Sequence, residues 1–193
     1  MTAEELAQAT GATLARATEF LPYINEACAA YYIDLTPTRL TYFLANVGHE
    51  SGHLHYTTEL WGPTPTQERY EGRADLGNTQ PGDGSLFRGH GLFQTTGRFN
   101  HASVRDRLRA KFPDMDVPDF EVEPTKLAEP LWAAYSAADF VDRESLNAIA
   151  DQEDFDGYCD VINRGHKTKA EGDSNGFAER FALLGKAQEV ITA

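Results

Sequence analysis

The sequence predicts a mainly α-helical fold built around a long, glycine-rich central loop region, with little or no β structure. Three observations carry that expectation. Apolar residues recur at spacings of three and four over both ends of the chain, the period of a helix with one buried face. Residues 59–100 instead hold 8 of the 16 glycines together with Pro63, Pro65 and Pro81, which reads as loop with short turns. The composition, 41% apolar and 24% charged over 193 residues, is that of a globular chain with one sizeable core.

In chain order, helical patterns cover 3–9 and 12–32, where Leu14, Ala17, Phe20, Leu21, Ile24 and Cys28 share a stripe. Pro22 is expected to divide the second pattern or to mark a helix start. Thr36-Pro37 reads as a cap followed by proline at the first helical position. Leu40, Phe43, Leu44 and Val47 then form the buried stripe of a helix running to about residue 53, weakened toward its end by Gly48 and Gly52. After the central region, helices are expected over 101–112, 126–142, 144–151, 154–163 and 177–191. Residues 113–125 read as a connector and 163–176 as a polar, glycine-bearing loop. Long structured loops usually carry function, which directs attention to the centre of the chain.

Charge narrows the partners. A net charge of −13 and a pI near 4.8 exclude a general nucleic-acid binder and argue against docking on anionic lipid, so neither partner is expected. Cys28 and Cys159 are too few for a disulfide framework and are expected as two buried free thiols. The N-terminal residues show no basic and apolar leader, and no apolar run approaches membrane-spanning length. The expectation is therefore accumulation in the cytosol of the producing cell, with no stable membrane association.

The pentapeptide His49-Glu50-Ser51-Gly52-His53 admits two chemistries. As H-E-x-x-H on a helix, His49 and His53 would bind zinc with Glu50 as general base, and Glu59, Glu68 or Glu71 would have to supply a third ligand. As a carboxylic acid at a helix end, Glu50 would protonate a glycosidic oxygen while a second carboxylate, Glu59, lies nine residues on beyond a turn. Downstream, Gly89 and Gly91 permit close backbone approach to a ligand. Gln94, Thr95, Thr96 and Asn100 supply neutral groups suited to sugar hydroxyls, N-acetyl groups or a water. From the residues alone both chemistries stay open.

Three ordered blocks decide between them. They are Gly48-His49-Glu50-Ser51-Gly52, Tyr56-Thr57-Thr58-Glu59, and the run Arg88-Gly89-His90-Gly91-Leu92-Phe93-Gln94-Thr95-Thr96-Gly97-Arg98-Phe99-Asn100. Together with Val161-Ile162-Asn163-Arg164-Gly165 and Asn175-Gly176-Phe177-Ala178-Glu179-Arg180, they resemble glycoside hydrolase family 19, which comprises chitinases and phage endolysins. Leu60-Trp61-Gly62-Pro63-Thr64 and Tyr70-Glu71-Gly72-Arg73-Ala74-Asp75-Leu76-Gly77-Asn78-Thr79 resemble the endolysin branch. The resemblance spans residues 43–181 and implies a lysozyme-like helical fold with two lobes around a cleft, as one catalytic domain over 1–193.

It further implies an inverting mechanism with Glu50 as general acid, Glu59 as general base and Thr96 orienting the attacking water. Gln94, Asn100, Asn163 and Arg180 fall at substrate-binding or glutamate-tuning positions, with Arg88 a second candidate modulator; Tyr56 is a substrate-binding candidate as a flat aromatic next to the acid–base pair. The expected activity is hydrolysis of the β-1,4 bond of peptidoglycan, a muramidase used for host lysis. The enzyme is expected to be a monomer with no cofactor or metal and no separate wall-binding module. A chitinase, a zinc metallopeptidase using His49 and His53, and a non-catalytic glycan binder are the alternatives. Three positions depart from the family pattern: His90 replaces an arginine, His101 stands where tyrosine is common, and Arg164 interrupts a glycine pair. Trp61, Tyr56, Tyr70 and Phe87 are flat enough to stack on sugars, although Phe87 is expected in the core.

Overall fold

A computed structural model describes residues 1–191. Ten α-helices account for most of it: α1 (Ala3–Thr10), α2 (Leu14–Ala30), α3 (Pro37–Glu50), α4 (Pro65–Glu68), α5 (Asp83–Leu86), α6 (Arg98–Lys111), α7 (Pro130–Arg143), α8 (Leu146–Ala150), α9 (Phe155–Arg164) and α10 (Phe177–Ile191). Among the described residues the β structure amounts to two isolated antiparallel bridges, Thr58 to His90 and His90 to Thr95. The mainly helical, lysozyme-like architecture is as the sequence predicts.

Helix α3 is the centre of the molecule. Its residues Leu40 to Gly48 are all buried, so it is enclosed on every side rather than on one stripe. It packs against α10 most extensively and also against α1, while α2 lies along α7. Fully burying Phe43, Leu44 and Val47 contributes roughly 1.5–3 kcal/mol each. Thr36 caps the helix, accepting from the Arg39 N–H at 3.2 Å, and Pro37 occupies the first turn, where no N–H is missed. Gly48 does not loosen α3 as expected. A Cβ there would lie 2.6 Å from the Thr10 carbonyl oxygen, so the missing side chain is what lets α1 close on α3.

Two boundaries differ from the sequence reading. Helix α2 runs unbroken through Pro22, which lies on the exposed face where the carbonyl it leaves unpaired is open to water. Helix α3 stops at Glu50 rather than 53, because Gly52, His53 and Leu54 all take left-handed φ values of 54, 63 and 61°. Cys28 and Cys159 are free, buried thiols, and burial pushes the pKa of the Cys159 thiol up to about 12.

The central segment is ordered by polar ties rather than by regular structure. Glu71 accepts from the Gly82 and Gly84 amides at 2.7 and 2.8 Å. Asn78 bridges the Tyr70 carbonyl and the Arg98 amide at 2.9 and 3.0 Å. Arg98 forks onto the buried Asp83 at 2.5 and 3.1 Å, which holds that carboxyl below the usual carboxylate range. These ties fix the central segment and hold it to the start of α6.

Candidate active site

Glu50 is the last residue of α3 and half-buried. Its Oε1 accepts from the Arg180 guanidinium, and Arg180 is itself 1% exposed. The same guanidinium donates to Asn46 Oδ1 at 2.6 Å and to the Asn175 carbonyl at 3.0 Å. Asn46 in turn donates to the Tyr42 carbonyl at 2.9 Å, one turn back on α3. A buried arginine with three acceptors thus fixes the Glu50 carboxyl through one oxygen. Among the described residues no group bonds the other oxygen, Oε2.

Glu59 sits in a seat lined by donors. Gln67 Nε2 and the Tyr70 hydroxyl reach Oε1 at 2.9 and 3.4 Å, and the Gly89 amide reaches Oε2 at 3.0 Å. The Glu59 amide returns a bond to the Gly89 carbonyl at 2.8 Å, so the glutamate is paired in both directions with that loop. Gln67 is held in place by donating to the Leu60 carbonyl and accepting from the Thr64 amide, both at 2.7 Å. The Tyr70 ring tilts against Trp61 with centroids 6.3 Å apart, and burial together with Glu59 raises the phenol above its ordinary range.

The loop after Gly89 carries further candidates, beside a cavity that neither Glu50 nor Glu59 lines. A cavity of about 270 Å³ is lined by Gln94, Thr96, Asn100, Ser136, Asp139 and Ile162, among others, joining the loop to α6, α7 and α9. Gln94 takes a left-handed φ of 50°, and its side chain donates to the Gly91 carbonyl at 2.9 Å. A Cβ on Gly89 would lie 2.5 Å from Gln94 Oε1, so this glycine lets the amide that holds Glu59 press against Gln94. Thr96 donates its hydroxyl to the Gln94 carbonyl at 3.0 Å, leaving its lone pairs as acceptors. Asn100 donates to the Thr96 carbonyl at 2.7 Å, and Asn163 accepts from the Asn175 amide at 3.1 Å, next to Arg180's own acceptor.

No family model matches the sequence. The chain is similar to a glycosyl hydrolase family 19 domain-containing protein of Haemophilus influenzae. The two are 32% identical over 124 residues, a match that covers 50% of this chain and 62% of that relative's length. This similarity supports a relationship with family 19.

The structure rearranges two of the sequence expectations. The histidines of His49-Glu50-Ser51-Gly52-His53 do not share a helical face, because the chain turns left-handed after Gly52. Both meet Glu179 of α10 instead, His49 Nδ1 at 2.7 Å and His53 Nε2 at 3.4 Å, while His53 Nδ1 faces the Thr10 carbonyl at 2.8 Å. Neighbouring residues of α10 therefore clamp both sides of the α3 terminus, Glu179 on the histidines and Arg180 on Glu50. Among the described residues no group of three histidine, cysteine or acidic side chains is arranged to hold a metal ion. The arginine expected to favour an ionised base lies on Glu50, the expected acid, and Arg88 reaches the Ser85 carbonyl at 2.8 Å rather than either glutamate.

Tyr56 is 42% exposed, and its ring meets His55 edge-on at 4.4 Å. Phe87 is fully buried, as expected, against His101 and beneath Arg98. Arg164 closes the following loop by pairing with Asp173 at 2.5 Å. Gln67, Asn46, Glu179 and the Gly89 amide escaped the sequence reading. Only Gln67 carried a local signal, as the third helical residue after Thr64-Pro65, a capping box.

Gly176 shows how tightly this clamp is packed. Its φ is +69°, and a Cβ there would overlap the His49 ring. The Gly176→Ala variant is expected to lose roughly 2–3 kcal/mol of stability, read as a lower urea midpoint with unchanged slope.

Proposed function

We propose that this chain hydrolyses the β-1,4 glycosidic bond of bacterial peptidoglycan by an inverting, two-carboxylate mechanism, as a muramidase of the endolysin type serving host-cell lysis. The observation that carries the reading is the contrast between the two glutamates. Glu50 is held by Arg180 through one oxygen and keeps the other free to carry a proton. Glu59 is met at both oxygens by N–H and O–H donors, the surroundings of a carboxylate that accepts.

In the proposed reaction Glu50 passes a proton from Oε2 to the glycosidic oxygen as the bond to the anomeric carbon breaks. A water attacks that carbon from the opposite face, and Glu59 takes the proton the water gives up. The negative charge left on Glu50 forms against the Arg180 guanidinium, so this ion pair strengthens as the bond breaks. Thr96, by accepting from the water, and Gln94, Asn100, Asn163 and Tyr56, by contacting sugar, complete the assignment. The enzyme acts alone as a monomer on glycan strands, on this reading, with no cofactor.

Chitin hydrolysis is the second reading, supported by the similarity to family 19, whose members include chitinases. Reducing-end release from purified peptidoglycan and from chitin separates them. Faster turnover of peptidoglycan, undiminished by a chelator, is expected. Turnover of chitin alone would overturn the substrate assignment, and chelator-sensitive activity would overturn the mechanism.

A further inference from the structure

The two histidines that depart from the family pattern meet each other in the interior. His90 and His101 are both fully buried, with His90 Nδ1 3.0 Å from His101 Nε2 and the rings edge-to-face at 5.2 Å. The direction of that bond is fixed from its far end. His101 Nδ1 lies 2.9 Å from the Gly97 carbonyl, which can only accept, so Nδ1 carries the proton. A neutral His101 then offers its Nε2 lone pair, and His90 Nδ1 must be the donor. His90 is left with a lone pair on Nε2, which is buried and has no partner among the described residues. Wherever an added proton enters this pair, it leaves an N–H at His90 Nε2 with no acceptor.

The pair sits directly behind Glu59. His90 follows Gly89, whose amide holds Glu59 Oε2, and the His90 backbone exchanges two bonds with Thr95 at 3.0 and 2.7 Å. His101 belongs to the first turn of α6, beside Asn100. The bond between the rings therefore ties the turn carrying Gly89, Gln94 and Thr96 to the start of α6.

We propose that His90 and His101 are positioning residues for Glu59, the single hydrogen bond between their rings setting the place of the Gly89 amide and, through it, of the Glu59 carboxylate. The proposal rests on the glycosidase reading above. Burial is what keeps both rings neutral, pushing His90 down to about 3 and His101 down to about 4; His101 and Arg88 add to the effect on His90.

The test compares wild type, His101→Phe and His101→Gln on purified peptidoglycan, together with hydrogen exchange of the Gly89 amide. His101→Phe removes the acceptor and strands the His90 N–H, whereas the glutamine oxygen can still accept. The expected result for His101→Phe is a kcat about ten- to a hundredfold lower with KM changed less than about threefold. His101→Gln should recover most of that loss. Gly89 exchange should quicken in His101→Phe while the amides of α2 and α7 keep their protection. If His101→Phe does not fold, the double variant His90→Phe/His101→Phe, which buries two apolar rings of similar shape, is expected to show the same fall in kcat. Wild-type kcat in either folded variant, or equal losses in His101→Phe and His101→Gln, would overturn the proposal. An inactive wild type would overturn the glycosidase reading instead, and Gly89 exchange would still decide whether the pair positions that amide.

Discussion

Glu50→Gln and Glu59→Gln are each expected to lower glycan cleavage by about 10²–10⁴-fold, with the fold intact. Glutamine keeps the shape of each side chain but carries no transferable proton at position 50 and no basic oxygen at position 59. At position 50 the amide oxygen still accepts from Arg180, so the α3 terminus stays clamped. At position 59 the amide places an N–H₂ group against donors that Glu59 accepts from, Gln67 and Tyr70 on one oxygen and Gly89 on the other. That variant should also lose some stability, on the order of 1–3 kcal/mol. His53→Ala separates the two chemistries of the pentapeptide, since a zinc site would lose its ligand. Here it removes one weak contact to Glu179 and one bond to the Thr10 carbonyl, so a substantial share of activity should remain. The three variants compared on outer-membrane-stripped cells give the direct readout, and full lysis by Glu50→Gln would refute the assignment.

Acid should destabilise the protein well before its carboxylates are neutralised. In the unfolded chain His90 and His101 titrate near 6.5, whereas burial lowers them to about 3 and about 4 in the fold. Below pH 6.5 the unfolded state therefore binds the extra protons, so the stabilisation is full above 6.5 and is lost as pH falls toward 4. At pH 4.5 the loss is about 2–3 kcal/mol for each histidine. Among the described residues, the charged groups facing the pair are Arg88, two residues before His90 in the same loop, and the Arg98–Asp83 ion pair across Phe87. Asp83, held low by Arg98, acts with the same sign but at lower pH. Urea midpoints at pH 7 and 4.5 should fall steeply in wild type and much less in His90→Phe/His101→Phe. Parallel falls in the two proteins would contradict this account.

Local chemistry made most of the fold legible. Thr36-Pro37 marked the start of α3, the stripe from Leu40 to Val47 marked its core, and the glycine and proline content of 59–100 marked the irregular centre. What failed depended on tertiary surroundings. Pro22 still costs α2 a backbone hydrogen bond and a ring clash, but it lies on the exposed face, where water rather than a packed neighbour meets the distortion, and the helix runs on. Gly48 reads as a weak helical residue until α1 is known to press on it.

The site was legible as a set of residue types but not as a set of partners. Glu50, Glu59, Gln94, Thr96 and Asn100 stand out through their sequence blocks. That His49 would meet Glu179, and Glu50 meet Arg180, each across 130 residues, follows only from the packing of α10 on α3. Likewise His90 and His101 read as two separate departures. Only the fold places them in one hydrogen bond.

The most direct test of the central claim is the configuration of the sugar first released from purified peptidoglycan, followed by proton NMR before the anomers equilibrate. A water activated by Glu59 opposite Glu50 inverts the anomeric carbon, so the α anomer should appear first from a β-1,4 bond. First appearance of the β anomer would mean that a carboxylate or the sugar's own acetamido group attacked the anomeric carbon before water did, and would contradict the roles assigned to Glu50 and Glu59.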